Sequence, residues 1–261
     1  MEEKILKWLE KQGYPLEMFV SQRFRENIFS VSQSIYYYDY ELNINREIDV
    51  LAHKGIFIDG EFASIEYIIE CKSSDKPWLL FSTKRDNPYD PIIESEKYCY
   101  NNTAIPIIVH LSSQDLVNKL YPFYFNFPNI GYGLTQAFTS GNDLAYKAIT
   151  SLSKYCESSK ISSEGINYHK SKIIIPILVI DNQLYEITLA DNYELKIESQ
   201  QIGYLYFNHL SIIVMTKSYL DEFCKSANES SDWFINYCKE KLKSIQDEHD
   251  RLTKSFFNNT E

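Results

Sequence analysis

The sequence predicts an α/β fold from three observations. Residues 46–58 and 61–72 are β-rich runs on either side of Asp59-Gly60. Asp-Gly between two such runs is the strongest short-range signal for a two-residue hairpin loop, whose central residues take φ > 0. Apolar residues at helical spacing precede this hairpin and recur near 144–155, while short apolar runs bounded by turn residues follow at 173–180, 184–189, 194–197 and 210–215. Helical and strand patterns interleaved along one chain give the α/β class.

Taken in order, residues 2–12 read as a short helix with Ile5, Leu6, Trp8 and Leu9 turned inward, stopped by Gly13. A second helix begins at Pro15, a residue suited to a first helical turn, and Leu16, Phe19, Val20 and Phe24 make its apolar stripe. Glu17 lies about 100° round the helix from Leu16 and flanks that stripe, where a carboxylate needs a partner. Residues 29–40 are rich in β-branched and aromatic side chains and read as the strand leading into the hairpin; their tyrosines fit core packing better than base stacking. Between the hairpin and a further buried strand at 105–111, residues 86–103 carry Pro88, Pro91 and a Glu94-Ser95-Glu96-Lys97 helical patch.

Residues 121–133 are Pro-, Gly- and aromatic-rich without clear period, the pattern of a surface excursion. Leu144, Ala148, Leu152 and Tyr155 mark an amphipathic helix that can cover the sheet. Turns at Asp181-Asn182 and Asp191-Asn192 join the next runs into a β-meander, and 210–215 adds one more strand. The tail is helical from 218, with Trp233, Tyr237, Leu242, Ile245, Leu252 and Phe256 in a stripe. No repeat or low-complexity linker divides the chain. Residues 1–160 therefore read as the core, with an excursion over 84–135, and 161–261 as C-terminal strands and helices packed on the same domain.

Composition bounds the function classes. A chain of 261 residues with 44% hydrophobic content has ample material for a core. No apolar run approaches the roughly 18 residues of a membrane span, and the N-terminus lacks a signal peptide's charged region and cleavage site, so a cytoplasmic, membrane-free protein is expected. The five cysteines, at 71, 99, 156, 224 and 238, include no C-x-x-C pair and encode neither a disulfide framework nor a zinc site. A formal net charge of −10 argues against non-specific duplex binding, which comes mostly from Lys and Arg on phosphates. Lys72, Lys76, Lys84 and Arg85 follow the hairpin closely, however, and predict a local basic cleft on an acidic body.

The hairpin also carries the chemistry. If Ile58 pairs with Glu61, counting back along both strands sets Asp49 opposite Glu70, with Cβ atoms about 5 Å apart. Like charges opposed across a sheet are destabilising, so a cation or a proton belongs between them, and two carboxylates offer a site for a divalent metal. Strand alternation puts Lys72 on the face of Glu70 and sends Ile48, Val50, Ile69 and Cys71 to the other. The bland alternative is a salt-bridged surface face. Bare (D/E)-x-K triplets also occur at Glu2-Glu3-Lys4 and Glu194-Leu195-Lys196, but neither ends an apolar strand with an aspartate across a hairpin. Arg46 fits pairing with Glu47 or Glu17 better than a phosphate contact, and His53, opposite Glu66, fits a structural role.

Glu47-Ile48-Asp49, twenty intervening residues, then Glu70-Cys71-Lys72 resembles the PD-(D/E)xK motif of the restriction-endonuclease-like nuclease superfamily. Ile48 stands where that family usually has Pro. The resemblance extends upstream through Gly13-Tyr14-Pro15-Leu16-Glu17, similar to the first helix of the Holliday-junction-resolvase and type IV restriction branches, and downstream through Ser73 to Trp78; it covers roughly residues 1–110. It implies a restriction-endonuclease-like core with a mixed central sheet flanked by helices. It further implies a Mg2+-dependent nuclease, with Mn2+ able to substitute, in which Asp49, Glu70, the Cys71 backbone carbonyl and Glu17 serve the metal and Lys72 the attacking water. DNA is expected over RNA as the nucleic-acid partner, and genome defence or DNA repair in bacteria as the role. A homodimer or a protein partner would use the C-terminal helices. The rival readings are a catalytically silent or partner-activated binding or scaffold protein of the same fold, and a ribonuclease. Gln136 lies too far from Lys72 for the glutamine that some branches place after the motif.

Overall fold

The structure, a computed structural model, describes residues 1–9, 12–58, 60–84, 99–120, 128–139, 144–161 and 170–258. Helices α1 (Glu2–Leu9) and α2 (Tyr14–Glu26) lead into strands β1 (Ser30–Asp39), β2 (Ile44–Ile58), β3 (Glu61–Lys72), β4 (Trp78–Lys84) and the short β5 (Cys99–Tyr100). Next come α3 (Ile105–Ser113), α4 (Val117–Leu120), β6 (Asn129–Gln136) and α5 (Leu144–Ile161). The chain closes with β7 (Lys170–Ile180), β8 (Leu184–Leu189), β9 (Leu195–Gln200), β10 (Ile202–Phe207), β11 (Leu210–Thr216) and α6 (Leu220–Asn258). No helix among the described residues is long and apolar enough to cross a membrane.

All the strands join one mixed sheet in the order β1-β2-β3-β7-β11-β10-β6-β4-β8-β9, with β5 on β7. β3 runs parallel to β7 and β7 to β11, whereas β1/β2, β2/β3 and β10/β11 are antiparallel. β9 at the edge is exposed, whereas both faces of the central strands are covered. On one, Leu16, Val20 and Phe24 of α2, Ile107, Ile108 and Leu111 of α3, and Phe223, Ala227 and Phe234 of α6 pack on Val50, Tyr67, Ile69 and Ile177. On the other, Ala145, Ala148, Ile149 and Leu152 of α5 pack on Ile68, Trp78, Leu80, Leu178 and Val214. Burying sheet between helical layers is what lets β7 be apolar along almost its whole length. An α/β class with a mixed sheet flanked by helices is therefore observed.

Several local expectations need correction. Residues 105–111 form a helix rather than a strand: Pro106 sits in the first turn, and Ile107, Ile108 and Leu111 are buried while Ile105 and Val109 face out. A short apolar run has no decisive period, and here α6 offers a surface for one helical stripe. α1 buries none of its residues, so Ile5, Leu6 and Trp8 do not turn inward. Gly133, placed in an excursion, lies within β6; residues 121–127 are outside the described residues. The expected meander holds only in its second half, where β8 and β9 pair antiparallel around the Asp191-Asn192 turn; β7 does not pair with β8. β7 sits between β3 and β11, and β8 crosses to pair with β4 and β9. β4 and β10 were not anticipated. Of the tyrosines in residues 36–40, Tyr37 is buried, whereas Tyr36, Tyr38 and Tyr40 are exposed.

Candidate active site

β2 and β3 pair with Ile58 opposite Glu61 and run back in step to Val50 opposite Ile69, the register that Asp59-Gly60 predicts. Gly60 takes φ 90°, as such a turn demands; Asp59 is outside the described residues. The paired ladder stops one step short of Asp49 and Glu70. On the far side of β2, Gln33 pairs with Val50 and Ile35 with Ile48, but Ser34, at φ 54°, and Asp49 between them are skipped. The sheet is distorted at Asp49. Ile48 consequently packs with Ile68 and Leu178 beneath α5 while Val50 packs with Ile69 on the opposite face, which corrects the expectation that Ile48 and Val50 share one face.

That distortion turns the Asp49 carboxylate onto the neighbouring strand. Its Oδ2 accepts the backbone N–H of Cys71 at 2.7 Å and lies 3.5 Å from Lys72 Nζ. Lys72 Nζ donates to Glu70 Oε2 at 2.7 Å, and the hydroxyl of Ser151, on α5, donates to Glu70 Oε1 at 3.0 Å. Tyr37 supports this arrangement from β1 by donating its hydroxyl to the Ser151 carbonyl at 3.0 Å. Asp49, Glu70 and Lys72 thus meet as expected, with Lys72 nearer to Glu70 than to Asp49.

The electrostatics of the cluster follow from burial. Glu70 is only 4% exposed, and its carboxyl is pushed up to about 7 by desolvation; the charge of Lys72 opposes the rise and that of Asp49 adds to it. Burial alone would lower the Lys72 ammonium, but Glu70 and Asp49 outweigh it and hold the group above its ordinary value. Glu17 comes from α2, and its carboxyl is raised by desolvation and then by the charge of Asp49, against the pull of Lys72. The three carboxyls and one ammonium therefore form one electrostatic unit at the carboxyl end of β3. Desolvation also lifts the Cys71 thiol well above its usual range, which leaves it a neutral buried group.

Among the described residues, no group of three or more His, Cys, Asp or Glu side chains is arranged to hold a metal ion. The donor set itself is of the right kind, because carboxylate oxygens suit hard divalent cations. The raised Glu70 carboxyl reflects chiefly the cost of burying its charge, a cost that the charge and hydrogen bond of Lys72 offset only in part.

Other predicted residues fall elsewhere. Arg46 pairs with Asp39 at 2.6 Å rather than with Glu47 or Glu17. His53 stands opposite Glu66, whose carboxylate is taken by Lys172 at 3.0 Å. The expected basic cleft does not assemble from its described members: Lys72 serves Glu70, Lys76 Nζ donates to the Phe138 carbonyl at 2.9 Å, and Lys84 lines a separate hollow with Asn129 and Tyr132. Arg85 lies outside the described residues. Sequence reasoning missed Ser151 and Tyr37 as supports of Glu70. The available signal for Ser151 was slight, a small polar residue bordering the apolar stripe of α5. The chain matches no protein-family model, no curated protein and no solved structure.

Proposed function

We propose that this chain is a metal-dependent nuclease that hydrolyses phosphodiester bonds, with DNA as its substrate. The observation that carries the reading is Lys72 held between Asp49 and Glu70 at the end of two antiparallel strands, 3.5 and 2.7 Å from their oxygens. In this reading Asp49, Glu70 and the Cys71 carbonyl hold one magnesium ion, manganese being able to substitute, and Glu17 adds a ligand or anchors a water. The bound ion supplies positive charge toward the oxygens on which charge gathers during phosphoryl transfer. Lys72, kept protonated by its carboxylate neighbours, orients the attacking water through its ammonium hydrogens and favours loss of that water's proton. Ser151 and the Cys71 N–H fix the carboxylates of Glu70 and Asp49, so neither has to be ordered when substrate arrives.

Two features favour a second reading, a catalytically silent or partner-activated nucleic-acid-binding protein: the net charge of −10 and the lack of a ready three-carboxylate cage among the described residues. One gel separates the two. Wild type, Asp49→Ala and Lys72→Ala are incubated with supercoiled plasmid, linear duplex, single-stranded DNA and RNA, with magnesium, manganese or EDTA. Metal-dependent cutting that both substitutions reduce at least a hundredfold is expected, with metal binding kept by Lys72→Ala and lost by Asp49→Ala. Cutting that survives in Asp49→Ala, or none by wild type, sinks the nuclease assignment, and cutting of RNA alone reassigns the substrate.

A further inference from the structure

We propose that a cavity lined by the residues that follow Lys72 in the chain receives one unpaired nucleobase of the strand being cut; the identity of this ligand rests on the nuclease reading. The cavity measures about 380 Å3, within the size range of small-ligand sites. Its walls include Ser73, Ser74 and Lys76, which follow Lys72 in the chain, Gln136 at the end of β6, and Phe138 and Thr139 from the turn after it. It therefore opens where β3 and β7, two parallel strands, end, and ligands of open α/β sheets bind at such carboxyl ends.

Two side chains in that wall lack a structural reason for their state. Gln136 is 7% exposed, and its Nε2 is buried without a hydrogen-bond partner among the described residues. A buried amide donor left unmade costs stability, so an unmade donor on a residue that lines the cavity points to an acceptor that the Gln136 amide meets by turning toward the cavity. Phe138 is the converse case, an aromatic 88% exposed and held at φ 57°, a left-handed conformation that bulky residues rarely adopt. The segment carrying both is pinned. Thr139 Oγ1 donates to the Gln136 carbonyl at 2.8 Å, Ala137 N–H to the Pro77 carbonyl at 2.9 Å, and Lys76 Nζ to the Phe138 carbonyl at 2.9 Å. The opposite wall is equally fixed, since the Ser74 N–H goes to Asp181 Oδ1 and Asn182 Nδ2 to the Ser74 carbonyl, each at 2.9 Å.

The chemistry selects a base over a phosphate. Asp75 lines the cavity and repels an anion, while Lys76 already serves the turn. A flat, neutral ring with acceptors for Gln136 Nε2, donors for Asp75 and a face for Phe138 satisfies every group, and an unpaired nucleobase is such a ring. Paired bases present neither a free face nor a free pairing edge. The substrate preference that follows is single-stranded, flapped or locally melted DNA over matched duplex.

The test is fluorescence anisotropy with a labelled single-stranded oligonucleotide and its matched duplex, as DNA and as RNA, on full-length protein. It is run in EDTA, and with magnesium on the Lys72→Ala background so that nothing is cut. Single strands should bind at least about tenfold tighter than duplex, and Phe138→Ala or Gln136→Leu should each weaken single-strand binding about tenfold. Gln136→Leu should melt no lower than its parent, because it removes an unmade donor at nearly constant volume. Equal affinity for both forms, or unchanged single-strand binding by folded Phe138→Ala, overturns the proposal. Single-strand preference that depends on Phe138 and Gln136, with no metal-dependent cutting by wild type, upholds the cavity and overturns the nuclease reading. Cutting unaffected by either substitution does the reverse.

Discussion

Glu70 is where burial and charge conflict most sharply. It is 4% exposed, beside Asp49, and its carboxyl is lifted by desolvation from an ordinary value of 4.5 to about 7. A raised carboxyl binds its proton more tightly in the folded than in the unfolded chain, so the folded state holds more protons between these two values. The contribution of Glu70 to stability is therefore present at low pH and is lost as pH rises from 4.5 to about 7; above that window the ionised group penalises the fold. Glu17 is raised too and adds in the same direction. Melting of metal-free protein across this window should show stability falling with pH, and Glu70→Gln should flatten the fall because it does not titrate. A wild-type profile that rises over the window would contradict the burial argument. Ser151 trims the effect that burial sets: its hydroxyl favours the ionised carboxyl, and Ser151→Ala should move the fall to higher pH at a stability cost of about 1 kcal/mol.

Where elements meet, Leu80 on β4 lies close across glycines of two other strands, Gly131 of β6 and Gly203 of β10. A Cβ on Gly131 of β6 would stand 2.6 Å from Leu80 Cδ1 and 2.6 Å from the Tyr204 carbonyl oxygen, whereas on Gly133 the nearest atom, Phe81 Cδ2, is 3.7 Å away. The carbonyl belongs to a paired strand and cannot yield as a side-chain tip can, so Gly131→Ala should cost about 1–3 kcal/mol in denaturant unfolding and Gly133→Ala should be close to neutral. Equal effects of the two substitutions would show that crowding does not decide this junction. The same contrast between local and distant determinants explains what the sequence made legible. The register of β2 on β3 could be read because a two-residue turn and alternation fix it within a few residues of the chain. The neighbours of β7 could not. Pro176 argues for an edge strand, yet β7 is central: β3 pairs along one edge, and on the other β5 pairs at Ile173 and Ile174 and β11 only from Ile177 to Ile180, leaving a gap in that ladder at Pro176. Ser151 and Glu70 meet across a separation of 81 residues, and Ile105 to Leu111 took its period from α6. Each is a tertiary outcome that no local pattern encodes.

On the scale of the whole molecule, the strands of the two sequence halves interleave. β7 and β11, from beyond residue 160, sit between β3 and the pair β6/β4, and β8 then caps β4. β3 thus depends on β7 for one entire edge, with pairing from Phe62 opposite Lys170 to Lys72 opposite Ile180. It depends on α6 for the cover of one face, where the Tyr67 hydroxyl reaches the Ala227 carbonyl at 3.2 Å and Ser231 Oγ at 3.0 Å. A fragment of residues 1–160 would keep Asp49, Glu70, Lys72, Glu17 and Ser151 yet lose the strand that holds Glu70 and Lys72 in line. Its exposed β3 edge would also invite pairing with other chains. Full-length protein should accordingly unfold in a single calorimetric transition, while the fragment should bind a hydrophobic dye, lack a cooperative transition and aggregate. A fragment that melts cooperatively as a monomer would mean that the first half carries its own core and that the C-terminal strands are an addition to the site rather than part of what builds it.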